Sequence, residues 1–428
     1  MSSGSKPRIA WFSLLSDREG QNSISSYCTD IFLPYIAEEF EIDIFSNGDD
    51  RSYKGHHVFN YLSAFSRDEQ NPYDFFFYQL EDSDQCDFVK LHLGLKPGIV
   101  FFHDILLREE MPPPLTFSIW PEVLNWVDSP EWPKRYPQPD RGPFAYRECS
   151  LSLLPIFSSE RLANEFKRTV EKTLGDSFEP KDLRFFYLPL PVESFENSPL
   201  SKNETCIAFS GEVGIEHRAH KVLHAVRDLN DRFKLLWLVA PDEVSRAKEL
   251  ANEFSVHNLE IITERSAENW KKVLDRSSVA IHTHFSVYGT LGLNLSISLA
   301  SKTPVIVTDF AEGEFLPESV VFKVSPGRNE ATQIKSFIEE INNLSGSSEL
   351  GLILDNAKSY VLEISDKKTV ALELLQIFLS NLDFLRNARS TWSTLEQEAR
   401  NFVLQKNLTS AWAAFFKPAF NEIGWADE

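Results

Sequence analysis

His103 and Asp104 end the apolar run GIVFFHD, where a parallel sheet would present side chains to a ligand cleft. A histidine there is either a ligand-facing group or a satisfied structural residue. Arg218 and Lys221 lie beside a Ser-Gly turn ending at Gly211, at the start of a predicted helix. Backbone amides at a helix N-terminus together with two cations suit a diphosphate, although the same residues would also serve as a solvated, charged first turn. Glu212 opposes the first reading, because a carboxylate repels phosphate. A third stretch, GTLGLNLSISLASKTPVIVTD from Gly289 to Asp309, joins a glycine-bearing turn, a helix-length segment and a buried strand. It contains no glutamate. Thr290 and Asn294 offer neutral hydrogen bonds there, His282 and His284 precede it, and Glu312 and Glu314 follow it.

These groups need a scaffold, and the chain alternates between apolar runs and amphipathic segments. PRIAWFSLL, EIDIF, DFFFYQL and GIVFFHD read as strands. Ile24, Tyr27, Cys28, Ile31, Phe32, Tyr35 and Ile36 share one helical face. Near-continuous apolar strands with helices between them imply a parallel sheet covered on both faces. After a proline-rich interruption the pattern resumes with helix YRECSLSLL and strands PIFSS and RFFYLPLPV. A polar stretch from Glu193 to Glu204 precedes a second series of strands: TCIAFSG, KLLWLVA, LEIITE, VAIHTHF, PVIVTD and VVFKVSP. From about Ala331 the pattern is helical, with Trp392, Leu395, Ala399, Phe402 and Val403 marking an amphipathic stripe.

The expected fold class is therefore α/β, with two doubly wound Rossmann-like domains facing a cleft and helices at the C-terminal end. The expected units are residues 1–195 with an insertion at about 108–145, residues 204–345, and helices over 346–428 that pack back across both domains.

Composition narrows the partners. With 63 acidic against 43 basic residues and a formal charge of -20, the chain lacks the basic footprint of a nucleic-acid binder. No apolar run is long enough to span a bilayer, and the N-terminus lacks the pattern of a secretory signal. The four cysteines have no paired spacing for zinc or redox chemistry, so a cytoplasmic protein with reduced thiols is expected. The insertion WPKRYPQPDRGPFAYR concentrates Lys134, Arg135, Arg141 and Arg147 with Trp132, Tyr136 and Phe144. It is either a proline-rich surface loop or a contact for a lipid phosphate, a peripheral membrane surface or a protein partner.

Several of these segments together resemble the retaining family 4 glycosyltransferases of the GT-B fold, particularly bacterial members that build surface polysaccharides. YDFFFYQLEDS and PGIVFFHDILL are similar to the family's paired YQ and HD segments. RECSLSLLPIFSSERLANEF, FYLPLPV, FSGEVGIEHRAHKVLHAVRDL and GLNLSISLASKTPVIVTDFAEGEFLP follow in the family's order, over roughly the first 345 residues.

The resemblance implies a nucleotide-sugar donor and a glycan or lipid-linked acceptor, with no further cofactor and no metal. It assigns His103 and Asp104 to the reacting sugar. The donor side would be Gly211, His217, Arg218, Lys221, Thr290, Gly292, Leu293, Asn294 and Glu314, and the loop carrying Gly20 and Ser23 would pass the phosphates. The family's two donor-site glutamates, with seven residues between them, fall on Gly289 and Ile297 when counted back from Pro304. Losing a charged hydrogen bond to a ribose hydroxyl costs about 1.5–3 kcal/mol. The alternative expectation is thus a catalytically silent, glycosyltransferase-like protein that uses its cleft for recognition.

Overall fold

The structure is a computed structural model and describes residues 6–16, 23–81, 83–104, 146–160, 162–164, 166–167, 184–194, 205–214, 217–229, 232–264, 266–284, 292–310 and 312–405. Of the basic, aromatic insertion, residues 132–145 lie outside the described residues.

The first sheet is built from β1 (Arg8–Phe12), β2 (Glu41–Ser46), β3 (Arg51–Tyr53), β4 (His56–Asn60), β5 (Phe75–Leu80), β6 (Gly98–Phe102), β7 (Ser152–Phe157) and β8 (Phe186–Tyr187). Their order is β3-β4-β2-β1-β5-β6-β7-β8. Every neighbouring pair is parallel except β3 with β4. Helices α1 (Ile24–Ile36), α2 (Ala64–Gln70), α3 (Asp87–Leu95) and α4 (Tyr146–Leu151) lie between the strands in sequence. All residues of β5 and β6 are buried, as expected of strands covered on both faces.

The second sheet has the order β11-β10-β9-β12-β13-β14 and is parallel throughout. Its strands are β9 (Thr205–Ser210), β10 (Phe233–Leu238), β11 (Leu259–Ile262), β12 (Ser277–His282), β13 (Val305–Thr308) and β14 (Phe322–Val324). They alternate with α5 (Ala219–Arg227), α6 (Val244–Glu253), α7 (Ala267–Asp275) and α8 (Leu293–Ala300). The chain closes with α9 (Glu330–Asn343), α10 (Ser348–Ser365) and α11 (Lys367–Gln405). Two Rossmann-like domains with C-terminal helices are thus the observed architecture.

Three local differences from the sequence pattern have physical causes. The β3–β4 hairpin turns through Lys54 and Gly55, both at positive φ (48° and 86°), and its polar residues carry no apolar alternation to announce them. The helix expected over YRECSLSLL stops at Leu151, because pairing of Gly98 with Ser152 and Ile99 with Leu154 draws the following residues into β7. Trp392 and Leu395 of the expected stripe are exposed, and the side chains of Ala399, Phe402 and Val403 lie outside the described residues. The buried face of α11 lies upstream, at Val370, Ala371, Leu374, Ile377, Phe378 and Leu385.

That upstream face belongs to the core of the first domain. Phe378 packs its ring 5.1 Å from both Phe75 and Phe77 and 6.0 Å from Phe40. Such aromatic pairs contribute about 0.5–1.5 kcal/mol each beyond the area they bury. The return crossing sits beside the outgoing one: the Val192 amide donates to the Ser365 carbonyl at 2.7 Å, and the Lys367 amide donates to the Val192 carbonyl at 3.0 Å. Further along α11, Arg389 pairs with Asp68 and Arg386 with Asp74, each at 2.6 Å.

Tyr27 on α1 and Leu293 on α8 each pack against hydrophobic clusters of both domains. Both helices begin at the carboxyl edge of their own sheet, so the two carboxyl edges approach each other there.

Candidate functional site: the carboxyl edges of the two sheets

In the first domain the ends of β1, β5 and β6 bring Ser13, Gln79, Glu81 and His103 to one edge. His103 is completely buried, with its ring 4.4 Å from that of Phe101. Its Nε2 lies 3.0 Å from Gln79 Oε1. Gln79 Nε2 donates to Ser13 Oγ at 3.2 Å and to Thr29 Oγ1. Thr29 also accepts from Trp11 Nε1 at 3.1 Å and donates to Ser13 at 2.8 Å, and Ser13 donates to the Leu14 carbonyl at 2.8 Å. His103 Nδ1 has no hydrogen-bond partner among the described residues. Burial holds the ring down to about 3, so it is neutral at physiological pH.

Glu81 follows directly on β5. Its carboxylate accepts from the Ser25 amide at 3.1 Å and from Ser25 Oγ at 3.2 Å, at the first turn of α1. The protein's own acid therefore occupies the positive pole of this helix. Burial pushes Glu81 up to about 7 against the lowering effect of the Ser25 donors, and the charge of Asp104 adds to the rise. Ser23, expected to pass the donor phosphates, is the N-cap of α1 and accepts from the Ser26 amide at 2.9 Å. Gly20 lies outside the described residues.

In the second domain Gly211 and Glu212 leave β9, while Thr283 and His284 leave β12. A Cβ on Gly211 would sit 2.7 Å from Phe209 Cζ and 3.0 Å from His217 Cβ, so glycine lets the chain close over these side chains. The His217 ring stacks on that of His284 at 4.8 Å, and its carbonyl accepts from Thr283 Oγ1 at 2.6 Å.

Arg218 departs from the sequence expectation. Its backbone is left-handed (φ 52°) at the cap of α5, and its guanidinium turns inward. Arg218 Nε lies 2.7 Å from both carboxylate oxygens of Glu330, Nη2 completes the pair, and both residues are 0% exposed. Its charge is met within the fold. Lys221, one helical turn on, is also buried.

The donor-like segment enters the described residues at Gly292, the cap of α8, where an added Cβ would meet open space. Leu293 fills the contact between the domains. Asn294 Nδ2 donates to Ser210 Oγ at 2.7 Å, tying α8 to the end of β9. Ile297 is 0% exposed and belongs to a hydrophobic core with Val307 and Leu299. The position matching the second family glutamate therefore faces packing.

His282 does not take its place. Ser298 Oγ donates to the Asn294 carbonyl at 2.7 Å, so its contact with His282 Nε2 at 3.0 Å is one in which the imidazole donates. Burial lowers His282 to about 3, with His284 adding to the effect. Glu314 is exposed on a short helical turn, where its carbonyl accepts from Lys323 at 2.8 Å. Thr290 and Gly289 lie outside the described residues.

Chemically, the first edge offers a neutral imidazole and an elevated carboxyl beside Asp104, which suits hydrogen bonding to hydroxyls. The second offers stacked imidazoles, the Gly211 turn and Lys221. Gln79 stands in the YQ segment of the sequence with no role assigned to it, and Ser13, Thr29 and Glu81 were not singled out. Their signal is a glutamine and a glutamate ending the otherwise apolar run FFFYQLE, where polar residues must find partners. Among the described residues no helix is long and apolar enough to cross a membrane.

Comparison with known proteins bears on this geometry. The family model for glycosyl transferases group 1 matches residues 192–322. Sucrose-phosphate synthase from Thermosynechococcus elongatus superimposes with a TM-score of 0.60 at 13% identity, covering 88% of this chain and 99% of that one. HepE of Anabaena, in complex with UDP-glucose, gives 0.60 at 12% identity, covering 87% and 99%. WaaG, a glycosyltransferase involved in lipopolysaccharide biosynthesis, gives 0.55 at 11% identity, covering 86% and 99%. No curated protein matches by sequence. The chain thus has the two-domain fold of the GT-B glycosyltransferases, and its second domain carries the group 1 glycosyltransferase signature.

Proposed function

We propose that the protein is a glycosyltransferase that moves a sugar from a nucleotide-sugar donor to a hydroxyl of a glycan or lipid-linked acceptor, with retention and without a resident metal. The bond from the anomeric carbon to the diphosphate oxygen breaks, with its electron pair leaving on the diphosphate. The acceptor oxygen bonds the same carbon, and its proton passes to the released diphosphate. His103 and Asp104 orient the reacting sugar. His217 and Lys221 face the diphosphate across the Gly211 turn, and Asn294, Thr290 and Glu314 hold the remainder of the donor. A lipid-linked acceptor would make contact with the cytoplasmic face of a membrane peripheral.

The observation that carries this reading is the buried His103, whose Nδ1 has no partner among the described residues, at the edge facing a domain with the group 1 signature. A second reading, a catalytically silent binding protein, is favoured by the internal Arg218–Glu330 pair and the buried Ile297.

Calorimetric titration with UDP, GDP, ADP, CMP and dTDP separates them. The transferase reading expects micromolar binding of one nucleotide, weakened about tenfold or more in Lys221→Ala. It also expects transfer from the matching nucleotide sugar to be lost in His103→Ala with the fold intact by circular dichroism. No binding by the folded protein, or binding without any dependence of turnover on His103, would leave the silent reading.

A further inference from the structure

We infer that Gln79 is a positioning residue that locks His103 as the neutral Nε2–H tautomer, so that the ring meets its ligand only as a hydrogen-bond acceptor at Nδ1. In the buried network around His103 two groups have fixed roles, and they determine where every other hydrogen lies. The Trp11 indole N–H can only donate, so Thr29 Oγ1 accepts from it. The Leu14 carbonyl can only accept, so the Ser13 hydroxyl hydrogen is spent there. The contact between the two hydroxyls then needs the Thr29 hydrogen.

Both hydroxyls have now used their hydrogens, and each can only accept from Gln79. The glutamine must present its NH2 to Ser13 and Thr29, which leaves Oε1 toward the imidazole. A carboxamide oxygen cannot donate, so His103 Nε2 carries the hydrogen and Nδ1 keeps its lone pair. Rotating the amide would not rescue the alternative. Oε1 would then compete with Ser13 for the one Thr29 hydrogen, and the Ser13 hydrogen is already committed, leaving buried oxygens in contact with no hydrogen between them.

Two further observations agree. Every member of the network is buried, so water is not on hand to reverse an orientation. The one ring atom without a partner among the described residues is Nδ1, the atom that the count leaves as an acceptor. Gln79 is the polar residue within β5, a strand otherwise made of Phe, Tyr and Leu, and a structural glutamine there would need no histidine beyond it. A ring held this way cannot act as a proton donor at Nδ1 or as a cation toward phosphate. It selects ligands that supply a hydrogen. In the transferase reading, on which this last assignment rests, that hydrogen is a sugar or acceptor hydroxyl.

The test is nitrogen NMR of the full chain labelled at histidine, with His103 assigned by loss of its resonances in His103→Asn. In the unmodified protein Nδ1 is expected at an unprotonated position and Nε2 at a protonated one, unchanged from pH 8 to pH 5. Gln79→Glu places a carboxylate against Nε2 and is expected to raise the titration of His103 by about two units or more. Should that variant fail to fold, Thr29→Val removes the hydroxyl that orients the amide and is expected to give a mixture of tautomers. An Nδ1–H tautomer, an imidazolium at pH 6 in the unmodified protein, or an unaltered His103 in the folded variants would overturn the inference. No nucleotide is used, so this result and the calorimetric one can fail separately.

Discussion

The two sheets end in contrasting ways at their carboxyl edges. On the first, polar side chains from β1, α1, β5 and β6 are linked in a closed network whose last atom, His103 Nδ1, has no partner among the described residues. On the second, Arg218 is taken up by Glu330, His282 by Ser298, and the glutamate-equivalent position by an isoleucine in the core. The same βα architecture therefore leaves the His103 ring with a nitrogen that has no partner among the described residues in one half, and takes Arg218 and His282 into internal contacts in the other. A matching frame in the sequence fixes where a side chain starts; which neighbour it meets decides whether a ligand can use it.

The sharpest way to break this contrast is at the internal pair. Arg218→Leu strands Glu330 in the core and should cost about 3–5 kcal/mol in denaturant unfolding, while Arg218→Met with Glu330→Leu should restore most of it. If Arg218 were instead a ligand contact, the single change would lower nucleotide affinity and leave stability near its original value.

Phe378→Ala removes the ring that α11 inserts between Phe75 and Phe77 of the first domain, with an expected loss of about 3–5 kcal/mol. A loss confined to the second domain would overturn the assignment of that helix to the first core.

The first edge predicts a pH signature. Glu81 is raised from 4.5 to about 7, so the folded protein binds a proton that the unfolded chain has released in that window. The stabilising contribution of Glu81 should be fully present below about 4.5 and be lost as pH rises through 7, by on the order of 3 kcal/mol in all. Glu81→Gln should flatten this slope in unfolding measured across the same range. An unchanged slope would mean the carboxyl titrates normally.

A smaller effect separates packing from phosphate binding at Gly211. Gly211→Ala brings a methyl against Phe209 and His217 and should cost about 1–3 kcal/mol even without ligand. The smallest effect belongs to the exposed Arg386–Asp74 pair, where Arg386→Ala should change stability by no more than about 1 kcal/mol.

Parts of the site were legible beforehand. His103 stood out because a polar pair ending the apolar run GIVFFHD must find partners, and Asn294 because its amide offers a neutral hydrogen bond within the donor-like stretch. Glu81 did not stand out, since an acidic residue after a strand is ordinary until Ser25 is seen to hold it against α1. Arg218 misled, since its left-handed backbone and a partner 112 residues away are invisible to local pattern. The hairpin at residues 51–60 was missed because its strands are short, polar and at the sheet's edge.

The sequence by itself determined two parallel sheets and a helical C-terminal end, because uninterrupted apolar runs between amphipathic segments can bury their surface in few other ways. Only the tertiary structure decided which polar groups remain available. Ser13, Thr29, Gln79 and His103 come from four separate elements, and a buried hydrogen-bond donor or acceptor takes its role from whatever the fold places within about 3 Å of it.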